Sequence, residues 1–362
     1  SSSEAPLNRR EQDRGLSYVD RIREAHRDSH IWDYLRYNRE GDLWLDGVRL
    51  ADVIQFGTPL EIVDTRIVKR RANEWVELTR RIAQEVGYQG GFKDFYASKA
   101  NMSLEVAATA YAAGWLQETT STQDLINIEY LLQQRLLRKE STDIICNGFF
   151  LPSQNFGNPR ESKDIRSPNV IFQADGAVEP AGEISYLSRI ESMRDQGYRI
   201  TPIIYDRDEL RYLLTKKGAF NIGLRLKFGK VTNDTDLAQL QSRFGMTWEE
   251  LQEAANLAGR SDNQLRFTML HAMVGAAENI PIDTFDRSLQ FAAEKYFELR
   301  AKHDTLQYLN IGGGIPPRSE KYDHEELIRR FLRGVKDKAM RANLPEPTIV
   351  FELGSYIATE AA

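Results

Sequence analysis

Asp94-Phe95-Tyr96-Ala97-Ser98-Lys99-Ala100-Asn101 is the stretch on which the reading of this chain turns. Asp94 to Ser98 has the aromatic bias of a strand, with no room for a turn before Lys99, and a helical run follows from Ser103 to about Ala113. Lys99 therefore stands where a strand gives way to a loop, the edge at which parallel α/β barrels carry their chemistry. Flanked by small and apolar residues, its ammonium could be partly desolvated, and such an amine can form a Schiff base with a carbonyl. For a single lysine the ordinary reading is a solvated side chain at a strand end. Its company along the chain decides between the two.

Outward from Lys99 the pattern alternates strand and helix. Strands are expected at Asp94 to Ser98, Trp115 to Glu118, Asp143 to Cys146, Arg199 to Tyr205, Phe220 to Lys227, Arg266 to Met273, Thr305 to Ile311 and Thr348 to Phe351. Helical patterns lie at Arg66 to Glu85, Ser121 to Arg138, Tyr186 to Gln196, Arg207 to Leu214, Trp248 to Leu257, Asp283 to Lys302 and Asp323 to Ala342. This predicts an α/β fold, a parallel (β/α)8 barrel of the TIM type; a doubly wound open sheet is the alternative. Upstream, Trp32 to Leu50 reads as a hairpin around Glu40-Gly41-Asp42, Leu50 to Gln55 as a short helix, and Thr58 to Val63 as a strand opening on a proline. The expected organisation is a charged segment over 1–29, a hairpin and helix over 30–57, and the barrel over 58–362 with insertions at 151–182 and 229–247. Long irregular insertions in a compact domain are functional or disordered.

Composition narrows the function classes. A chain of 362 residues, 41% of them hydrophobic, suits one barrel plus extra segments. A formal charge of −5 argues against a nucleic-acid or anionic-membrane surface. The single cysteine, Cys146, excludes an internal disulfide framework and fits a reducing compartment. The longest apolar stretch, Val106 to Leu116, is too short to span a membrane, and Ser1 to Arg14 lacks the apolar core of a signal peptide. The chain reads as soluble and cytoplasmic, with no metal site expected.

Three further strand ends carry chemistry. Gly312-Gly313-Gly314 follows a strand directly, so backbone N–H groups can turn toward an anion, phosphate being the natural guest; a tight turn is the plain alternative. Glu352, in Phe351-Glu352-Leu353-Gly354-Ser355, ends the last strand, where an ionised carboxylate can hold a proton on a pyridine nitrogen. His271 and Met273 share one side of their strand, so either can face the mouth. Glu118 stands near another strand end, and Cys146 reads as a small core residue.

Taken together these stretches resemble the fold-type III decarboxylases that use pyridoxal 5′-phosphate, which include diaminopimelate, ornithine and arginine decarboxylases and share their barrel with alanine racemase. Tyr96-Ala97-Ser98-Lys99-Ala100-Asn101 is similar to the family's Tyr-Ala-x-Lys-Ala-Asn, which implies that Lys99 is the cofactor lysine. Gly57-Thr58-Pro59-Leu60 resembles the entry to the first βα unit, and Asn147-Gly148 the Asn-Gly of the arginine branch. The resemblance further implies that Gly312, Gly313 and Gly314 hold the phosphate, that Glu352 contacts the pyridine nitrogen within Glu-x-Gly354, and that Glu118 is the acidic residue near the lysine.

The chain also departs from that pattern. Met273-Val274-Gly275-Ala276 stands for the family's His-x-Gly-Ser, placing Met273 where a histidine stacks on the ring, with Gly275 keeping the phosphate turn and Ala276 replacing a phosphate-binding serine. His271 lies two residues earlier. Ser355 replaces an arginine that binds phosphate. The family's C-terminal β-domain, which completes the partner subunit's site, is not recognised before Ala362. The resemblance implies a homodimeric decarboxylase of a basic or diamino acid, with polyamine or lysine biosynthesis as its setting. The catalytic residues would be Lys99, Glu118 and His271, and Met273, Gly275, Gly312, Gly313, Gly314, Glu352, Gly354 and Ser355 would surround pyridoxal 5′-phosphate. A non-catalytic or regulatory homologue and a pyridoxal-phosphate racemase are the alternatives.

Overall fold

The computed structural model describes residues 35–57, 59–148, 170–172, 178–180, 186–227, 244–262, 264–274, 280–318 and 322–361. The chain forms two compact units, one of Ser1–Ile62 with Pro317–Tyr322 and one of Val63–Pro316 with Asp323–Ala362. The first carries an antiparallel meander, β1 (Leu35–Tyr37), β2 (Leu43–Leu45) and β3 (Val48–Arg49), which runs into the short helix α1 (Leu50–Val53). Asp46 and Gly47 both take positive φ between β2 and β3, the geometry that a two-residue hairpin turn demands. The hairpin expected at Trp32 to Leu50 is thus present with a third strand added.

The second unit begins with α2 (Thr65–Val86), capped by the Asp64 side chain and ended by Gly87 in the left-handed region. Its strands are β4 (Phe92–Ala97), β5 (Leu116–Thr119), β6 (Asp143–Cys146), β9 (Arg199–Ile204), β10 (Phe220–Arg225), β11 (Leu265–His271), β12 (Tyr308–Asn310) and β13 (Thr348–Leu353). They close in the order β4-β5-β6-β9-β10-β11-β12-β13, every neighbouring pair parallel, and β13 returns to β4 through Ile349↔Phe92 to Leu353↔Tyr96. This is the (β/α)8 barrel expected, not the open sheet. The helices α3 (Leu104–Ala112), α4 (Thr122–Gln133), α5 (Tyr186–Asp195), α6 (Arg207–Leu214), α7 (Trp248–Gly259), α8 (Ile282–Arg300) and α9 (His324–Ala342) alternate with the strands, and α10 (Ser355–Ala358) follows β13. A small antiparallel pair, β7 (Val170–Phe172) and β8 (Val178–Pro180), lies within the 151–182 insertion.

Alternation along the strands sorts two layers. Phe351 faces outward and meets Trp75 of α2 edge-on, with ring centroids 5.0 Å apart. Val350 faces inward and joins Phe95, Ile145, Ile203, Tyr205 and Met269 in one cluster, against which Leu116 and Tyr308 pack. Because side chains repeat every second residue, each inward residue fixes the next one toward the C-terminal mouth.

Two expectations fail. Residues 59–63 form no strand: β4 pairs directly with β13, so the ring has no open ladder for a further strand. The helix expected over Ser121 to Arg138 stops at Gln133, because Arg135 takes φ +59° and reverses the chain. The expectations for 1–29, for Thr58 and for most of 151–182 and 229–247 fall outside the described residues.

Candidate active site

The two-residue step from the inner cluster leads, strand by strand, to the polar rim of the barrel. From Leu116 it reaches Glu118, from Ile145 Asn147, from Met269 His271, from Tyr308 Asn310, and from Val350 Glu352. Tyr205 follows β9 and Arg225 ends β10, in register with His271 and, through it, with Asn310. All eight strands thus deliver a polar group to one mouth, counting Lys99 two residues beyond Ala97.

Glu352 is the best-served of these groups. Its Oε1 accepts from Asn310 Nδ2 at 2.7 Å, while Oε2 accepts from Asn147 Nδ2 at 3.2 Å and meets His271 Nε2 at 3.2 Å. Burial alone would raise its pKa; His271, the hydrogen bond from Asn310 and the charge of Lys99 outweigh that and hold it down at about 2. His271 is itself buried, and burial lowers its pKa against the pull of Glu352. Nδ1 has no hydrogen-bond partner among the described residues, which suits a bare acceptor better than a buried donor.

Glu118 contrasts with it. It is 1% exposed, its Oε1 accepts from Asn147 Nδ2 at 2.7 Å, and its buried Oε2 has no partner among the described residues. Burial raises its pKa, Lys99 pulls it back, Glu352 adds to the rise, and the outcome is about 7. Of two carboxyls on one amide, Glu352 is therefore ionised and Glu118 keeps the proton up to neutrality. The amide is held in turn: Tyr205 Oη donates to Asn147 Oδ1 at 3.5 Å, and Arg225 donates to Tyr205 Oη at 2.8 Å.

Lys99 lies in a single 3-10 turn, Ser98–Ala100, and its charge acts on Glu118, Glu352 and His271 together. Of the two readings of this lysine, the solvated side chain is the one seen: the residue is exposed. On the other side, Gly312 and Gly314 take φ of +69° and +81°, backbone that favours glycine. A Cβ on Gly313 would come within 2.5 Å of Glu352 O. Met273 closes over this turn, its Sδ accepting from Gly313 N at 3.4 Å. Thus His271 and Met273 both face the mouth, one at the carboxylate and one at the glycines. Gly354 packs on the lysine turn, and Ser355 is exposed beyond it. Gly275 and Ala276 lie outside the described residues. Asn310, Tyr205 and Arg225 were not anticipated; the polar residue two places beyond an inward-facing one was the signal that marks them.

Fold and rim define the class: a closed parallel barrel with an exposed lysine, two buried carboxyls of unlike protonation and a glycine turn at one mouth. The family described as "Pyridoxal-dependent decarboxylase, pyridoxal binding domain" matches residues 179–359, half of the chain, and the chain belongs to that family. It is 22% identical over 317 residues to the diaminopimelate decarboxylase of Aquifex aeolicus, covering 84% of this chain and 63% of the relative. It is 25% identical over 337 residues to the biosynthetic arginine decarboxylase of Gloeobacter violaceus, covering 88% of this chain and 45% of the relative. The chain therefore spans between about half and two thirds of these relatives' lengths. Among solved structures, the biosynthetic arginine decarboxylase of Campylobacter jejuni superposes with a TM-score of 0.65 at 22% identity, over 90% of this chain and 51% of that one. The diaminopimelate decarboxylase of M. jannaschii gives 0.66 at 17% identity, over 91% and 68%. Both share the fold. Among the described residues no helix is long and apolar enough to cross a membrane.

Proposed function

We propose that this chain is the cofactor-holding barrel of a pyridoxal 5′-phosphate-dependent carboxy-lyase acting on a basic or diamino acid, with Lys99 as the amine that takes the cofactor's carbonyl carbon. One observation carries the reading: Lys99 acts electrostatically on Glu118 and Glu352 at a rim that also holds Gly312, Gly313 and Gly314. Buried, oppositely protonated carboxyls beside an amine are a costly arrangement in a scaffold and a useful one for proton transfer.

The residues fit such a group, with one weak corner. When bound, pyridoxal phosphate supplies an electron sink for the pair left behind as carbon dioxide departs. Glu352, ionised and oriented by Asn310, is suited to accept from a ring N–H. Glu118 holds a proton at neutral pH beside the lysine, and its unpartnered Oε2 can give or take one there. The positive φ of Gly312 and Gly314 gives the turn the backbone of an anion nest, where Gly312 N–H donates to Asn310 Oδ1 at 2.8 Å and a phosphate oxygen would take the place of Met273 Sδ on Gly313 N–H. The weak corner is charge: Ser355 offers a hydroxyl where the resemblance implies an arginine. In domain terms this reading assigns 58–362 to the cofactor barrel and 30–57 to the border of a β-domain, and it includes a homodimer. The substrate class follows the names of the relatives, arginine and diaminopimelate decarboxylases.

The test is reduction with borohydride after incubation with pyridoxal phosphate, followed by peptide mass mapping. The cofactor mass is expected on Lys99 in the parent and absent in Lys99→Ala; a parent protein that returns no mass on Lys99 ends the reading. A second reading, a non-catalytic homologue, is favoured by a particular observation. The Glu352 side chain has 0% exposure and already holds three donors, while Met273 already takes the Gly313 N–H. That reading expects no cofactor absorbance at any pyridoxal phosphate concentration.

A further inference from the structure

The turn that bears Lys99 is tied at three points. Tyr96 Oη donates to Asn101 O at 2.8 Å, closing the turn from below. Ala97 and Ala100 lie on Gly354, where an added Cβ would come 2.8 Å from Ala97 O and 2.6 Å from Ala100 Cβ. The third tie is the residue immediately before the lysine: Ser98 Oγ donates to Asp124 Oδ1 at 3.0 Å, in a contact that is buried.

Asp124 is 5% exposed, and its second oxygen is filled from another strand's end. Oδ2 accepts from Thr120 N at 2.9 Å, Thr120 Oγ1 at 3.2 Å and Ser121 Oγ at 3.0 Å. Ser121 caps α4 and takes the Asp124 N–H in return at 3.3 Å, so the carboxylate is fixed to the first turn of a helix. Thr120 directly follows β5, the strand that presents Glu118. One carboxylate thus joins the lysine turn to the strand of its acidic neighbour.

That tie matters because of how Lys99 is exposed. No hydrogen bond or ion pair holds its ammonium among the described residues, so its reach is set by the backbone that launches it. We infer that Asp124, acting through Ser98, is a positioning residue that aims the Lys99 amine at Glu118 and Glu352. The inference rests on Lys99 being the reactive amine, and it adds a residue to that site which the lysine motif leaves variable. Misplacement of a reacting group by about 1 Å can cost a hundredfold in rate.

The test uses Ser98→Ala, which removes the tie and adds no charge, Ser98→Thr, which keeps the hydroxyl, and Asp124→Ala. The first readout is the carboxyl titration of Glu118, followed by 13C NMR and assigned with Glu118→Gln. The ammonium of Lys99 lowers that midpoint, so an untethered turn moves it upward in Ser98→Ala, as Lys99→Ala does, and Ser98→Thr restores it. Asp124→Ala is left out of this readout because its own charge acts on Glu118 in the opposite sense. The second readout is the rate at which borohydride fixes pyridoxal phosphate on Lys99 at saturating cofactor. A drop of tenfold or more is expected in Ser98→Ala and Asp124→Ala, with the half-saturating concentration within twofold of the parent and recovery in Ser98→Thr. A Glu118 midpoint unmoved by Ser98→Ala overturns the inference, as does a labelling loss that Ser98→Thr fails to rescue. If the parent takes no cofactor, the proposed function falls, and the titration of Ser98→Ala against Ser98→Thr still decides whether the hydroxyl tie to Asp124 sets the place of the Lys99 charge.

Discussion

Glu118 and Glu352 hang on one amide: Asn147 Nδ2 reaches Glu118 Oε1 at 2.7 Å and Glu352 Oε2 at 3.2 Å. The two acids differ in what else they have. Glu352 also receives Asn310 and His271, whereas the second oxygen of Glu118 receives no partner among the described residues. Equal burial with unequal donors, together with the pull of His271 and Lys99 on Glu352, sends the proton to Glu118 and leaves the charge on Glu352.

Stability should respond to pH accordingly at Glu118. Its folded pKa of about 7 stands above the ordinary 4.5, so the folded state binds the proton more tightly. Stability from this group is present below pH 4.5, is lost as pH rises toward 7, and stays lost above it, a loss of about 3 kcal/mol by linkage. Glu118→Gln mimics the protonated acid. Urea unfolding of this variant should match the parent near pH 4.5 and exceed it in stability at pH 8; equal curves at both would mean the carboxyl is already ionised in the fold.

Glu352 has the opposite sign. Its folded pKa of about 2 lies below 4.5, so its contribution is present above 4.5 and is lost as pH falls toward 2. Glu352→Gln should be destabilised at pH 7 by about 3 kcal/mol, with the gap narrowing in acid. A gap that stays constant from pH 7 to pH 3 would point to packing as its source.

Asn147 is the hinge of both effects. Asn147→Ala removes a donor from each acid and leaves two buried carboxyls facing each other, at a cost of about 1–3 kcal/mol for each unsatisfied group. Asn147→Asp adds a third acid in the same space and should be worse at pH 8 than at pH 5. Measuring both variants at both values compares the loss of a donor with the gain of a third acid: stability should fall more steeply from pH 5 to pH 8 in Asn147→Asp than in Asn147→Ala.

Much of this was readable in the residues. The eight barrel strands show in the alternation of apolar runs with helical periods, and Lys99, Glu118, Glu352 and the triple glycine each sit at a strand end. Asn310, Tyr205 and Arg225 were not readable, because a period of two gives two faces and does not say which one looks inward. Only the inner cluster, formed by residues far apart in sequence, settles that choice. The bridge made by Asn147 is likewise a relation between strands, with Glu352 lying 205 residues away. Residues 59–63 misled because local β propensity is blind to whether a partner strand has a free edge. Arg135 misled because a left-handed arginine carries none of the sequence marks of a glycine stop.

The glycine turn should tolerate no side chain. At Gly313 an added Cβ meets the backbone oxygen of Glu352 at 2.5 Å, and that oxygen belongs to a barrel strand. Gly313→Ala must therefore shift the turn or β13, and β13 carries the ionised acid. A stability loss of about 1–3 kcal/mol is expected, with a raised midpoint for Glu352 as its donors move out of line. Gly312→Ala presses on the flexible Met273 Sδ at 2.6 Å and is strained chiefly by its φ of +69°. Its effect on the Glu352 titration should be the smaller of the two.

Phosphate affinity should be improvable at one position. Ser355 is exposed, directly follows Gly354, and stands where the resemblance implies an arginine. A charge-assisted bond from guanidinium to phosphate contributes roughly 1.5–3 kcal/mol, or about tenfold to a hundredfold in dissociation constant. Ser355→Arg should therefore tighten pyridoxal phosphate by at least about tenfold, a gain that weakens as ionic strength rises. Met273→His should add less, since it exchanges a thioether already seated on Gly313 for a ring. Fluorescence titration with pyridoxal phosphate and with pyridoxal reads the difference: the arginine should help the phosphorylated ligand alone. Equal gains for both ligands would mean that Ser355 lies away from the phosphate and that the anion is held elsewhere on the rim.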